Sequence, residues 1–224
     1  MTKINAFSCF GSMEQHGFVG YFCIINSVGM QTKQTITIIS NTGELGSFMA
    51  KRLAPGNFRL LLCAENHEIG EKVLQEIKLI NPLADAEFAG CPFDASWESD
   101  IIIVAAPPEE HGQIAERIRS VANQKIVVSL ASMNDQASDN PIAEDTSLTE
   151  VLLKGLPNSK VIRVVISGLE GEINDHSSTI NQIEALLAGD DQLALVTVAD
   201  MLRAANLNIV IIGGLASRLT LIRS

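Results

Sequence analysis

The sequence predicts an α/β protein built on a doubly wound, mostly parallel sheet with helices on both faces. Three observations lead there. Short apolar runs rich in β-branched residues recur along the chain, as strands buried on both faces require. Stretches of helical period separate them, as crossovers between parallel strands require. A glycine-bearing turn directly follows the first apolar run, at the place where such a sheet takes its ligand.

Residues 1–34 read as an N-terminal extension apart from that pattern. Its apolar stretch, Phe18 to Met30, has Lys3 as the one base before it, with Glu14 between them. A secretory leader needs a basic region directly before the apolar core and a small-residue cleavage site after it. The segment is instead expected to be an added strand, a loose extension, or a product of initiation upstream of Met30.

The first strand is Thr35–Ser40 (TITIIS), followed by the turn Asn41-Thr42-Gly43-Glu44-Leu45-Gly46. A helix with Phe48, Met49 and Leu53 at helical spacing comes next, then a second strand, Phe58–Cys63. Residues 71–80 place Val73, Leu74, Ile77 and Ile80 on one helical face. A third strand runs from Ile101 to Ala106 and is broken by Pro107-Pro108. Glu109–Val121 reads as a helix with Ile114, Ile118 and Val121 inward, and Lys125–Ala131 as a fourth strand. The stretch from Asn134 to Thr146 is polar and proline-broken, a loop beside the ligand mouth. Leu148–Leu156 reads as a helix and Val161–Ser167 as a strand. The pattern continues through Glu184–Asp191, a helix at 192–205, a strand at 207–212, and Gly213-Gly214 before a last short helix.

Composition narrows the function classes. Of 224 residues, 46% are apolar and 19% charged, which suits a globular domain and is too hydrophobic for a disordered chain. No apolar run reaches the roughly 18 to 20 residues of a membrane-spanning helix, so no membrane partner is expected. The formal charge is −10, with no Lys/Arg cluster to offset it, and a phosphate backbone would be repelled. Nucleic acid is therefore not an expected partner. Cys9, Cys23, Cys63 and Cys91 form no C-x-x-C pair and have no His at ligand spacing, so reduced thiols in the cytoplasm are expected and no metal site is.

The strand–turn–helix–strand unit at 35–63 carries the chemistry. A helix N-terminus presents unpaired backbone N–H groups and the positive end of its dipole, so a pyrophosphate docks there without a basic side chain. Gly43 lets the backbone approach the phosphates, and Gly46 lets the helix pack tightly on the strand. Glu65 stands 19 residues past Gly46, where a dinucleotide fingerprint places an acid for the ribose hydroxyls. Ser40 or Asn41 occupies the place of the usual first glycine, and Asn tolerates the tight turn better than most residues. The sheet is thus Rossmann-like, with 35–168 a dinucleotide-binding domain and 169–224 a C-terminal α/β portion packed on it. Its ligand would lie near Ser40, Glu65, Ala105 to Pro107 and Ser129, at the carboxyl ends of the strands.

These residues resemble the family of small reductases typified by the NADP-dependent reductase of the deazaflavin coenzyme, over about residues 35–222. The marks are IISNTGELG at the first turn, RLAPGNFRLLL into the second strand, and SDIIIVAAPPEE at the third. KIVVSLA, ALLAGDD and IIGGLASRL follow in order. The similarity extends to the cytoplasmic reductase domains of membrane metalloreductases and, more distantly, to pyrroline-carboxylate reductases. It implies an NAD(P)-dependent oxidoreductase passing hydride between nicotinamide and a small or flat acceptor, with a deazaflavin as one candidate co-substrate. It also implies that Thr42, Gly43, Glu44 and Leu45 hold the pyrophosphate and that Ala105, Ala106 and Pro107 lie on the nicotinamide side. Family members often pair through C-terminal helices, but that region is short here, so the resemblance leaves a homodimer as one option and the oligomeric state open.

Three departures accompany the resemblance. Where the family shows Ser-Arg-Arg for the 2′-phosphate of NADP, this chain has Ala64-Glu65-Asn66. A carboxylate repels that phosphate, so Glu65 favours NAD(H) over NADP(H). Ile166 stands where the family carries a polar Asn or His, and the chain stops at Ser224, soon after a helix start the family extends. The alternative reading is a non-catalytic dinucleotide sensor on a decayed reductase fold. No residue is assigned a catalytic role, because hydride transfer between aligned rings needs placement more than acid–base groups.

The remaining candidates have plainer readings. His111 is expected to be a solvated helix-end residue beside the third-strand exit, and His67 a surface residue after Glu65. His16 and His176 lie in loop-like sequence. Ser129 is expected at a strand end, Trp97 to pack, and Asp190-Asp191 to cap a helix rather than bind metal.

Overall fold

The computed structural model describes residues 33–40, 44–64, 66–132, 141–168 and 183–215. Eight strands form one sheet: β1 Gln34–Ile39, β2 Phe58–Cys63, β3 Asp85–Phe88, β4 Ile101–Val104, β5 Ile126–Ser132, β6 Lys160–Ser167, β7 Glu184–Gly189 and β8 Asn208–Gly213. The helices are α1 Glu44–Leu53, α2 His67–Ile80, α3 Pro92–Glu98, α4 His111–Ile118, α5 Pro141–Gly155 and α6 Gln192–Ala204. The spatial order is β3-β2-β1-β4-β5-β6-β7-β8. The first six strands are parallel and follow the doubly wound order, with the switch point between β1 and β4. β7 then runs antiparallel to β6, with Ser167 opposite Glu184, and β8 runs parallel to β7.

Strand alternation splits the core into two layers. Ile36, Ile38, Leu60, Leu62, Ile101 and Ile103 face one way, onto Met49 and Leu53 of α1, Ile77 of α2, and Val198 and Leu202 of α6. Ile39, Leu61, Ile102, Val104 and Val127 face the other way, onto Ala95 of α3, Ile114 and Ile118 of α4, and Leu152 of α5. A period of two places successive residues on opposite faces, so a parallel strand covered on both sides must be apolar at nearly every position. Thr37 is tolerated in β1 because its hydroxyl donates to the Ala95 carbonyl at 2.9 Å.

Several boundaries depart from the expectation. β3 and α3 were not anticipated: β3 is a four-residue edge strand, DAEF, whose alternate positions are exposed. It is guarded by Lys33–Asp85 at 3.1 Å and by Arg59, which meets Glu87 at 2.6 Å and Glu98 at 3.0 Å. β4 ends at Val104 rather than Ala106, although the Ala105 amide still donates to the Ile39 carbonyl at 2.8 Å. α4 stops at Ile118, and a 3₁₀ turn at Pro108–Glu110 precedes it. α5 begins at Pro141, inside the stretch expected to be a loop, and proline fits a first turn where no intrahelical N–H bond is lost. Residues 1–32 and the expected helix after Gly214 lie, apart from Leu215, outside the described residues, as do 134–140 of the expected loop.

Candidate dinucleotide-binding site

The site is built where β1 hands over to α1. Ser40 leaves the sheet with its amide donating to the Cys63 carbonyl at 2.9 Å, tying the end of β1 to the end of β2. On the other side, Ala105 ties the end of β4 to β1. Gly46 is buried in the first turn of α1 and lies on both. A Cβ at position 46 would stand 2.4 Å from Ser40 Cβ, 2.5 Å from Ser40 Oγ and 3.6 Å from Ala105 Cβ. Only a glycine lets the helix come this close, and its N-terminus is thereby set at the switch point. Ser40, Gly46 and Ala105 come together as the spacing predicts. Glu44 is exposed at the helix start and Leu45 half-buried against the core. Asn41, Thr42, Gly43 and Glu65 lie outside the described residues.

A shallow cleft opens beside this turn between α1 and α2, lined in part by Ser40, Ser47, Cys63, Ala64 and Ile69. Ser47 and Ile69 went unremarked in the sequence, although each stands in the first turn of a helix that follows a strand. Among the described residues that line it there is no Lys or Arg. Burial pushes the Cys63 thiol up to about 12, so it stays neutral at physiological pH. Cys63 and Cys91 are both free thiols.

Beyond Ala64 the side chain of Asn66 is committed to structure. Asn66 is the N-cap of α2, its Oδ1 accepting from the Glu68 amide at 2.9 Å, which starts α2 four residues earlier than the apolar pattern suggested. Asn66→Ala is expected to cost about 1 kcal/mol and lower the melting temperature by about 3 °C, measured by thermal unfolding. The same helix start rests on Phe88: a Cβ on Gly70 would meet its ring at 2.2 Å, and His67 packs edge-on with centroids 4.7 Å apart. His67 is exposed, as expected, with Nε2 3.9 Å from Glu71.

The β4 end differs from expectation at its histidine. Ala105 is buried and Ala106 and Pro107 half-buried. His111 is not solvated: it is fully buried, and Nδ1 lies 3.1 Å from the Pro107 carbonyl. Burial holds its pKa below the ordinary histidine value, so the ring is neutral at pH 7. Ser129 does not end its strand, since β5 continues to Ser132. It lies opposite Val104, buried, and its hydroxyl has no partner among the described residues. Ile166 is fully buried opposite Ser132, an apolar group where a polar one was looked for.

Trp97 departs from its expected packing role. It is 68% exposed at the C-terminal end of α3, by the amino ends of the strands and away from the cleft. Asp191 caps α6, accepting from the Ala194 amide at 2.8 Å, and Asp190 accepts from the Leu215 amide at 3.0 Å. Among the described residues no three His, Cys, Asp or Glu side chains gather to hold a metal, and no helix is long and apolar enough to cross a membrane. His16 and His176 are outside the described residues.

Comparison with known proteins adds similarities of fold and one family match over part of the chain. No curated protein matches the chain. Among solved structures, a hypothetical protein from Sinorhizobium meliloti is similar at 19% identity and TM-score 0.62, over 84% of this chain and 89% of its own. A structure from an Arthrobacter species, described as a candidate F420-dependent NADP-reductase, gives 16% identity and TM-score 0.62 over 82% and 86%. A variant imine reductase from Myxococcus stipitatus, solved with NAD+, gives 15% and 0.61 over 84% of this chain and 57% of its own. At these identities the likeness shows a common fold. Residues 35–133, from β1 through β5 and less than half of the chain, fit the model of the family described as NADP oxidoreductase, coenzyme F420-dependent.

Proposed function

We propose that the protein is an NAD(P)-dependent oxidoreductase that exchanges hydride between a nicotinamide and a small or flat acceptor, with a deazaflavin among the candidates. The observation that carries this is the seating of α1: Gly46 lies against Ser40 and Ala105, which brings the helix's unpaired amides to the switch point of the sheet. The residues fit a dinucleotide. Backbone amides at the start of α1 would take the pyrophosphate, the cleft beside Ala64 would take the adenosine ribose, and Ala105 to Pro107 would back the nicotinamide. When bound, the reduced nicotinamide supplies the hydride. The chain's part is to orient it and keep water from the reacting face, and Ile166 adds no acid or base there.

NADH is the favoured form. The described residues of the cleft lining include no Lys or Arg, Asn66 is committed to capping α2, and Glu65 follows Ala64 in place of the family's arginine. Free Cys63 and Cys91 suit a reducing compartment, so we place the protein in the cytoplasm.

Titration with NADH and NADPH, followed by nicotinamide fluorescence, tests the reading; Trp97 is too far from the cleft to report it. NADH is expected to bind at least about tenfold more tightly than NADPH, and Glu65→Arg to reverse that order. Tighter NADPH binding by the unaltered protein would refute the part given to Glu65. Bound NADH should then be oxidised by a flat or imine-like acceptor. Binding with no turnover would favour the sensor reading, to which the apolar Ile166 lends support.

A further inference from the structure

We propose that His111 is a positioning residue for the nicotinamide half of the bound dinucleotide, holding the β4–α4 turn in place from behind. The inference rests on the dinucleotide reading above and adds a role for a side chain that reading leaves unused.

The turn has an unusual shortage of handles. Pro107 and Pro108 have no N–H, so the backbone between Ala106 and Glu109 cannot be tied down by its own donors. Ala105 is fastened upstream by its amide to the Ile39 carbonyl. Downstream, the Pro107 carbonyl is what remains to grip. It accepts from the Glu110 amide at 3.0 Å, which closes the 3₁₀ turn, and from the His111 ring at 3.1 Å.

The direction of that second bond is fixed by chemistry. A carbonyl offers lone pairs only, so Nδ1 must carry the hydrogen, and in the neutral ring Nε2 is then a bare acceptor. Nε2 is buried and has no hydrogen-bond partner among the described residues. A ring with an unsatisfied acceptor is a poor space-filler where leucine or phenylalanine would fit without that penalty. What the imidazole provides, and an apolar residue would not, is the N–H to Pro107. The ring is borne on a rigid element: Ile114, Ala115 and Ile118 anchor α4 in the second core layer. The half-buried Ala106 and Pro107 are therefore fastened at both ends to the sheet and a packed helix.

Two variants separate positioning from mere packing. His111→Phe keeps a ring and removes the donor; His111→Asn keeps a side-chain N–H near the Nδ1 position and gives up ring volume. Each is titrated with NADH and with ADP-ribose, which has the same pyrophosphate and adenosine but no nicotinamide. His111→Phe is expected to weaken NADH about tenfold while ADP-ribose changes by less than about twofold. His111→Asn is expected to bind NADH more tightly than His111→Phe does. Equal weakening of both ligands, no change in either, or an Asn variant no better than Phe would each overturn the proposal. If His111→Phe does not fold, His111→Leu removes the donor instead. Should the unaltered protein bind neither NADH nor ADP-ribose, the dinucleotide reading falls and this inference with it; binding of both with no split in the variants removes this inference alone.

Discussion

Gly46→Val is expected to lower the melting temperature by on the order of 10 °C. The new side chain would begin 2.4 Å from Ser40 Cβ, well inside contact distance. Ser40 cannot swing clear, because a Cβ moves only with its backbone and the Ser40 amide is bonded to the Cys63 carbonyl. α1 must therefore lift from β1 and β4, or the ends of both strands must shift. Overpacking of this kind costs about 3 kcal/mol, and in a chain of this size each kcal/mol moves the midpoint by about 2–4 °C. Calorimetry of the single variant and of a Gly46→Ala, Ser40→Gly pair tests the mechanism. Removing the Ser40 side chain should recover most of the loss caused by an alanine at 46, a coupling expected only of groups in contact. An unchanged midpoint in Gly46→Val would mean α1 does not sit on Ser40.

Gly43→Val is expected to fail differently. It should reduce NADH affinity at least a hundredfold, equivalent to about 2.7 kcal/mol, with the melting temperature nearly unmoved. Position 43 immediately precedes the first residue of α1, where a pyrophosphate would meet the helix amides, and a branched side chain would occupy that space. Titration calorimetry beside thermal unfolding separates the cases. Loss of binding with the fold kept supports the phosphate site. A parallel fall in stability would reduce Gly43 to a turn residue, and unimpaired binding would move the dinucleotide elsewhere. Glycines three residues apart are thus expected to be needed for distinct reasons, one for the ligand and one for the packing beneath it.

How far the sequence could be read depends on how local each feature is. β1, β2, β4, β5 and β6 were legible because both of their faces are covered, leaving largely apolar runs such as FRLLLC and KVIRVVIS, each with one arginine inside it. β3 escaped because an edge strand with exposed alternate positions looks like polar loop, and α3 because seven residues hold too few periods. The start of α5 escaped because its first turns, PIAEDT, carry little apolar signal. At the site, Gly46 could be read from spacing alone, since strand, turn and helix are consecutive. His111 could not: its burial is a matter of tertiary packing, and a histidine at a helix start carries no local sign of being covered. Asn66 shows a third kind of limit. Its side-chain oxygen suits a cap or a ligand equally well, and only the bond to the Glu68 amide decides between them.

The reversal of direction at β7 divides the protein's labour in a way that bears on how its chemistry can diversify. Because β7 is antiparallel to β6, Gly168 and Ile183 both stand along the same rim as Ser40 and Ala105. A parallel continuation would have obliged the chain to travel back beneath the sheet through a crossover of a dozen or more residues, whereas an antiparallel one can close through very few. The antiparallel pairing therefore sets no such minimum on the length between Gly168 and Ile183. On the proposed dinucleotide reading, a change of length between those points would alter the acceptor's side of the rim and leave the register of β1 to β5 as it is.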